Sequence, residues 1–431
     1  MKTFTASVLA LLLAAPTSAS ADLHQRLDAL ASDMQAEVVA WRRDIHQHPE
    51  LSNRETRTAR LVAEHLRALG LEVETGIAHT GVVGILRGGR PGKTVALRAD
   101  MDALPVQERT GLAFASTATS EYQGRTVPVM HACGHDNHVA ILMATASVLA
   151  DVREELAGTV KFIFQPAEEG PPKGEDGGAS MMIRQGTLQE PDVDAIYGLH
   201  IGQQGPAGTA MYRPKGAMAS AQRFDVTIQG RQTHGARPWA GVDPVVVGAQ
   251  IVVALQTIVS RSVDVTAAPA VVTVGQFNAG VRNNIVPDKA TLSGTIRTFD
   301  PDMRTAIHKK IRDIATGVAT SMGAEATVEI DPGVPVTFND AELTAASVPT
   351  LERVYGRENI MLAERITGAE DFSFYQEEVP GFFFFIGGRA PGVPPEKAVP
   401  NHSPFFDADE SALVPGVRAM SHLAVDFLSR K

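Results

Sequence analysis

The sequence predicts an α/β protein: a mostly parallel sheet with helices on both faces, interrupted by an inserted unit of different rhythm. Three observations carry this. Short, continuously apolar segments alternate with helical ones along most of the chain, as strands buried on both faces do. Between residues 219 and 332 the rhythm changes, and residues 223–229 alternate like a half-buried strand. The chain also has 431 residues, longer than a usual domain of about 100–200, so two domains are expected.

In chain order, Lys2, the apolar run 8–15 and the small residues Ala19, Ser20 and Ala21 read as a secretory leader, residues 1–21, cleaved after Ala21. The run is shorter than the roughly 20 apolar residues that cross a bilayer, so no stable membrane insertion is expected. The mature protein is expected to begin at Asp22 and to be periplasmic or secreted. Residues 22–47 read as one helix, with Leu23, Leu27, Leu30, Met34, Val38 and Trp41 at three- and four-residue spacings. A second helix over 55–68 stops at Gly70. Strands follow over 82–86, 94–99, 160–164, 195–199 and 382–386, with a buried helix over 139–149. The insert reads as strand 223–229, helix 244–259, strands 270–277 and 290–298, helix 303–319 and strand 324–330. That is the β-α-β-β-α-β order of a ferredoxin-like unit. Residues 22–218 and 333–431 then form one discontinuous domain around residues 219–332.

Composition narrows the function. With 39 Lys+Arg against 49 Asp+Glu and no long basic run, neither nucleic acid nor an anionic membrane is an expected partner. A single cysteine excludes an intrachain disulfide. Exported proteins that keep one thiol generally use it or bury it, which draws attention to Cys133.

Polar residues fall just after the expected strands. Asp100 and Asp102 follow the first of three, Glu168 and Glu169 the second, and His200 the third. In open α/β sheets ligands bind outside the carboxyl ends of the strands. The segment from His131 to His138 opens the 139–149 helix, and its Cys133-x-His135 spacing can place a thiolate and an imidazole on one ion, with Gly134 letting the backbone bend. Cys, His, Glu and a second His form the donor vocabulary of a borderline-soft divalent cation. Neighbouring side chains in extended chain point apart, so one of Glu168 and Glu169 can ligate while the other accepts a proton. Taken singly each has a plainer reading: a turn cap for Asp100 and Asp102, a small buried apolar group for Cys133, a core histidine for His200. His46 and His48 read as structural or supporting. Their coincidence at strand ends favours the metal.

These residues sit in segments that resemble a known family: residues 98–105, 131–138, 165–170, 198–200, 367–372 and 401–404. Together they resemble the M20 metallopeptidases, specifically the amidohydrolase branch of hippurate, auxin–amino acid and N-acyl-amino-acid hydrolases, over essentially the whole mature chain. The resemblance implies two divalent ions, zinc or manganese with cobalt or nickel as alternatives, on Cys133, His135, Glu169, His200 and His402, with Cys133 bridging. It implies Glu168 as general base and Asp102 as the supporting acid in the catalytic set; Asp100 stands where peptidase branches carry a ligand histidine and is left out of the ligand set with its role open. In the insert, read as a lid and dimerisation domain, it implies His234 at the oxyanion or substrate carboxylate, Asn284 and Arg297 as substrate contacts, and a homodimer or higher homo-oligomer.

The expected reaction is hydrolysis of the amide of an N-acyl (acetyl, aroyl or similar) amino acid, by attack of metal-bound water with Glu168 as base. A dipeptidase or aminoacylase-type peptidase uses the same site. The rivals are a Cys133 nucleophile activated by His135 or His138, and a non-catalytic periplasmic metal- or peptide-binding protein.

Overall fold

A computed structural model describes residues 18–430; most of the expected leader, residues 1–17, lies outside the described residues. The main sheet has eight strands in the order Glu72–Ile77, Gly81–Arg87, Ala157–Gln165, Arg90–Asp100, Ala195–Pro206, Gly381–Arg389, Ala210–Tyr212 and Ile360–Leu362. The middle four run parallel, and the antiparallel pairings lie towards the edges. All five strands expected from apolar runs are in this sheet.

The Gly381–Arg389 strand shows why the runs are continuous. Phe382 and Phe384 pack with Val95, Leu97 and Phe162 on the face covered by the helices His135–Asp151 and Leu413–Leu428. Phe383 and Phe385 pack on the other face, with Ile163, Ile196, Phe372 and Tyr375. A strand covered on both sides has no polar face to alternate with. Burying each such side chain contributes about 1.5–3 kcal/mol.

The helix expected over 22–47 is two, Ser18–Asp33 and Gln35–Gln47. The break at Met34 is slight, since Met34 N–H still reaches Leu30 O (3.2 Å) and Val38 N–H reaches Met34 O (2.9 Å). The next helix, Thr56–Ala68, ends at Gly70, whose φ of +73° is where glycine costs least.

The insert forms its own four-stranded antiparallel sheet in the order Ala270–Ala279, Lys289–Thr298, Gln222–Gln229, Glu325–Ile330. Within the unit this is strand order 2-3-1-4, a ferredoxin-like sheet. Its two helices, Pro244–Thr257 and Pro301–Ser321, bury Val247, Ile251, Leu255, Ile307 and Ile311 against Phe224, Val226, Ile228 and Leu292. The segment Pro244–Ser262 is long and apolar enough to cross a membrane by composition alone. One stripe of it is committed to this core.

Helix Gln35–Gln47 is pinned to the helix His135–Asp151 through His46. Its Nδ1 donates to Asp136 Oδ2 (2.9 Å) and its Nε2 to Glu108 Oε1 (3.2 Å), while Arg42 Nε donates to the same Asp136 oxygen (2.9 Å). Burial opposes the charge on this ring, but Asp136 and Glu108 outweigh it and push the pKa from 6.5 up to about 9. The stabilisation is therefore complete below pH 6.5 and is lost as pH rises towards about 9. Urea midpoints of the wild type are expected to fall over that window. His46→Gln should show a flatter profile and lose about 1–3 kcal/mol at neutral pH, because Asp136 keeps Arg42 as a partner while Glu108 loses its cation. His48, by contrast, is exposed beside Asp44.

Candidate metal centre

The parallel register brings the polar residues to one edge. Asp100 lies level with Gln165 on one side, and Arg98 lies level with Gly198, two residues before His200, on the other. The chain after Gln165 turns through Ala167 at φ +54° and delivers Glu168 and Glu169. Cys133 and His135 arrive from the helix entrance. Gly134 there has φ +99°, and a Cβ on it would stand 2.6 Å from Ile201 Cγ2, so only glycine lets this turn lie against the strand. His402 comes from a distant loop at φ +70°, its N–H on Ala132 O (2.7 Å). Asn401 Nδ2 ties the same loop to Cys133 O (2.7 Å) and Ile201 O (3.2 Å). Left-handed non-glycine backbone of this kind is typically stored at functional sites.

Of the five close three-donor groups among the described residues, two nests share Cys133: Cys133 with His135 and His200, and Cys133 with Glu169 and His402, the donor atoms of each lying within 4.8 Å of one another. Cys133 Sγ is 3.4 Å from His200 Nε2 and 3.2 Å from His402 Nε2, which is 3.0 Å from Glu169 Oε1. The imidazoles are prepared for ligation. His135 Nδ1 donates to Asp102 O (2.8 Å) and His200 Nδ1 to Ile201 O (2.7 Å). A carbonyl only accepts, so Nδ1 carries the proton and each Nε2 presents its lone pair. His135 Nε2 is buried without a hydrogen-bond partner. Ligand histidines are commonly fixed by such a second bond. Burial pushes the Cys133 thiol up, with Glu169 adding to the effect, so its thiolate calls for a cation at this position. The donor set thus fits a pair of divalent ions.

The two neighbouring glutamates each bring an oxygen within 4.8 Å of the other and of a His135 ring nitrogen, but their remaining neighbours differ. Glu169 faces Cys133 and His402, whereas Glu168 faces Glu370 and Asp371 and lies 3.8 Å from His135 Nε2. Burial, then Glu370, Glu169 and Asp371, hold the Glu168 carboxyl well above the usual range. Asp102 does not enter the cleft. Fully buried, it accepts from the backbone N–H of Glu168 (3.1 Å) and Glu169 (3.0 Å) and from Ser52 Oγ (2.8 Å). Its Oδ1 also lies 3.3 Å from His135 Nδ1, so the expected supporting acid holds the glutamate pair and one expected ligand together. Asp100 has a different task. It accepts from His138 Nδ1 (2.6 Å) and from the buried Arg98, whose guanidinium also reaches Glu370 (3.0 Å) and Asp371 (2.9 Å). His138 Nε2 in turn accepts from Ile201 N–H (2.8 Å). With both ring nitrogens engaged, His138 has no lone pair with which to activate Cys133.

The insert residues stand apart from these nests. His234, on the segment Thr233–His234, and Asn284, just before its partner segment Ile285–Val286, are exposed neighbours, with Gly235 N–H on Asn284 O (2.8 Å). Arg297 donates to Thr295 and to the Ile296 carbonyl. The sequence placed Glu370, which lines the cleft, and Asn401, which clamps its loops, in family-like segments but gave neither a role. A signal existed for the first: Glu370-Asp371 is a second adjacent acid pair, like Glu168-Glu169. The cleft measures about 250 Å³ and is bounded by Cys133, Glu169, His200 and His402 with Glu168, Glu370, Met218 and Phe385.

Comparison with known proteins gives a consistent picture. The pattern of peptidase family M20/M25/M40 matches residues 96–426. Thermostable carboxypeptidase 2 of Saccharolobus solfataricus is 38% identical over 414 residues, covering 95% of this chain and all of that one. N-acetylcysteine deacetylase of Bacillus subtilis is 37% identical over 392 residues, covering 91% and 97%. A solved Bacillus subtilis protein described as a dinuclear metal-binding peptidase of the M20 family superposes with a TM-score of 0.75 at 34% identity, covering 92% and 99%.

Proposed function

Because this chain belongs to peptidase family M20/M25/M40 and is thus an amide-bond hydrolase, we propose that it splits the amide of N-acyl amino acids into a carboxylic acid and a free amino acid. One observation carries the reading: a carboxyl with raised proton affinity, Glu168, stands in the cleft beside two donor nests joined through Cys133. Divalent ions in those nests, zinc or manganese by donor type, would supply Lewis-acid polarisation of the carbonyl and lower the pKa of water.

The chain's own residues do the rest. Glu168 takes the proton of the attacking water and returns it to the departing amine. Asp102 fixes the backbone of Glu168 and Glu169, and Arg98 steadies the Glu370–Asp371 turn that faces them. Residues 219–332 act as the lid, whose closure excludes water and brings His234, Asn284 and Arg297, from this chain or a second copy, to the substrate carboxylate. Dimerisation through the lid is supported by the open edge of Ala270–Ala279 and by exposed Val253 and Trp239, 65% and 76% accessible. The leader 1–21 directs the protein to the periplasm or outside the cell.

The test is release of free amine from a panel of N-acyl amino acids and N-blocked dipeptides, using chelated and metal-reconstituted protein. Release only after metal return is expected. Metal-independent turnover abolished by a thiol alkylator would instead favour Cys133 as nucleophile, and tight binding without release would favour a binding protein.

A further inference from the structure

We propose that Glu55 is a positioning residue for the reaction: through the backbone N–H of Ala167 it holds the left-handed turn that aims Glu168 into the cleft; this rests on the amidohydrolase reading above. Three successive N–H groups leave that turn, and each ends on a buried carboxylate. Ala167 N–H reaches Glu55 Oε1 (3.0 Å), Glu168 N–H reaches Asp102 Oδ1 (3.1 Å) and Glu169 N–H reaches Asp102 Oδ2 (3.0 Å). A left-handed residue turns successive N–H groups towards anionic acceptors in this way. Glu55 is fully buried, and its Oε2 accepts from Thr80 Oγ1 (2.5 Å), in the turn that follows the strand Glu72–Ile77. One side chain thus joins that turn, the entrance of the helix Thr56–Ala68 and the segment that carries the glutamate pair.

The plainer task for Glu55 is already taken. It stands at the N-cap of Thr56–Ala68, where a carboxylate usually accepts from the first free N–H groups of its helix. Its side chain makes no such bond. Glu50 caps the helix instead, accepting from Arg57 N–H and Thr58 N–H (both 2.9 Å). Burial, and then the charge of Asp102, push the Glu55 carboxyl up to about 8, an unfavourable placement that the helix does not require.

The turn does require it. Ala167 has φ +54°, a region where a residue with a Cβ stays only when its surroundings fix it. Asp102 holds the two residues that follow, but not Ala167 itself. Without Glu55 the turn relaxes and Glu168 shifts, whereas Glu169 keeps its bond to Asp102 and the ions keep their donors. Misplacing a reacting group by about 1 Å can slow a reaction about 10²-fold.

Glu55→Met and Glu55→Gln are similar in size and differ in whether the side chain can accept from Ala167 N–H. With metal-loaded full chain and an N-acyl amino acid, Glu55→Met is expected to lower kcat about tenfold or more and to change KM by less than about threefold. Its ion count should equal that of the wild type. Glu55→Gln keeps an acceptor for Ala167 and can donate to Thr80, so its kcat should stay within about threefold of the wild type. Glu50→Ala is the control: losing the cap should lower Tm and leave kcat unchanged. If Glu55→Met does not fold, Thr80→Val frees Glu55 from its other side, and kcat should fall several-fold where Thr80→Ser keeps it. Equal kcat in Glu55→Met and Glu55→Gln, a Glu50→Ala as slow as Glu55→Met, loss of ions along with kcat, or a Thr80→Val at full kcat would each overturn the assignment and leave the amidohydrolase reading standing. A wild type that releases amine from no N-acyl amino acid fails differently: it overturns that reading and the assignment together.

Discussion

Glu168→Gln is expected to lower turnover by about 10²–10⁴-fold, the range for loss of a general base, with metal content and fold preserved. The substitution keeps shape and hydrogen-bonding capacity but removes the atom that accepts a proton. Glu168 is suited to that task because burial and the carboxylates of Glu370, Glu169 and Asp371 all raise its affinity for a proton. Bound cations act in the opposite direction and bring that affinity back towards the working pH. Steady-state kinetics paired with metal analysis on the same preparation provides the check. A metal-replete, fully active Glu168→Gln would remove this residue as the base. Loss of an ion together with activity would make it a ligand, through its proximity to His135.

The second large effect is expected at Cys133. Both nests use its sulfur, so Cys133→Ala should weaken both ions at once and reduce activity by more than the roughly 10–100-fold that outer-shell changes cost. Ions that bind the folded state stabilise it by linkage. A chelator should therefore lower the Tm of the wild type and leave that of Cys133→Ala nearly unchanged. An alanine variant that keeps both ions would show that the thiol is only a small buried packing group.

What could be read from the sequence follows from burial. The five central strands lie between two helical layers, so they appear as unbroken apolar runs such as Phe382–Phe385. The edge strand Glu72–Ile77 is mostly exposed and has no such signature, and Ala210–Tyr212 and Ile360–Leu362 are only three residues long. In the insert, Gln222–Gln229 and Glu325–Ile330 were legible because they alternate between more and less buried positions, whereas Ala270–Ala279, on the sheet edge, is mostly exposed. At the site, donor types and spacing were visible. Their division into two nests was not, because His402 reaches Cys133 from 269 positions away through a left-handed turn. The task of Asp102 was equally hidden: its partners are backbone N–H groups, which every residue carries. Asp100 acquires its meaning only from Arg98 and His138, partners set by the register between strand and helix.

The central claim is that residues distant in sequence hold two cations around one shared sulfur. Counting ions per chain by elemental analysis, in wild type, His200→Ala and His402→Ala, tests it most directly. The expected counts are two, one and one, because each histidine serves a different nest. A folded wild-type protein that takes up none after exposure to zinc, manganese or cobalt would contradict it.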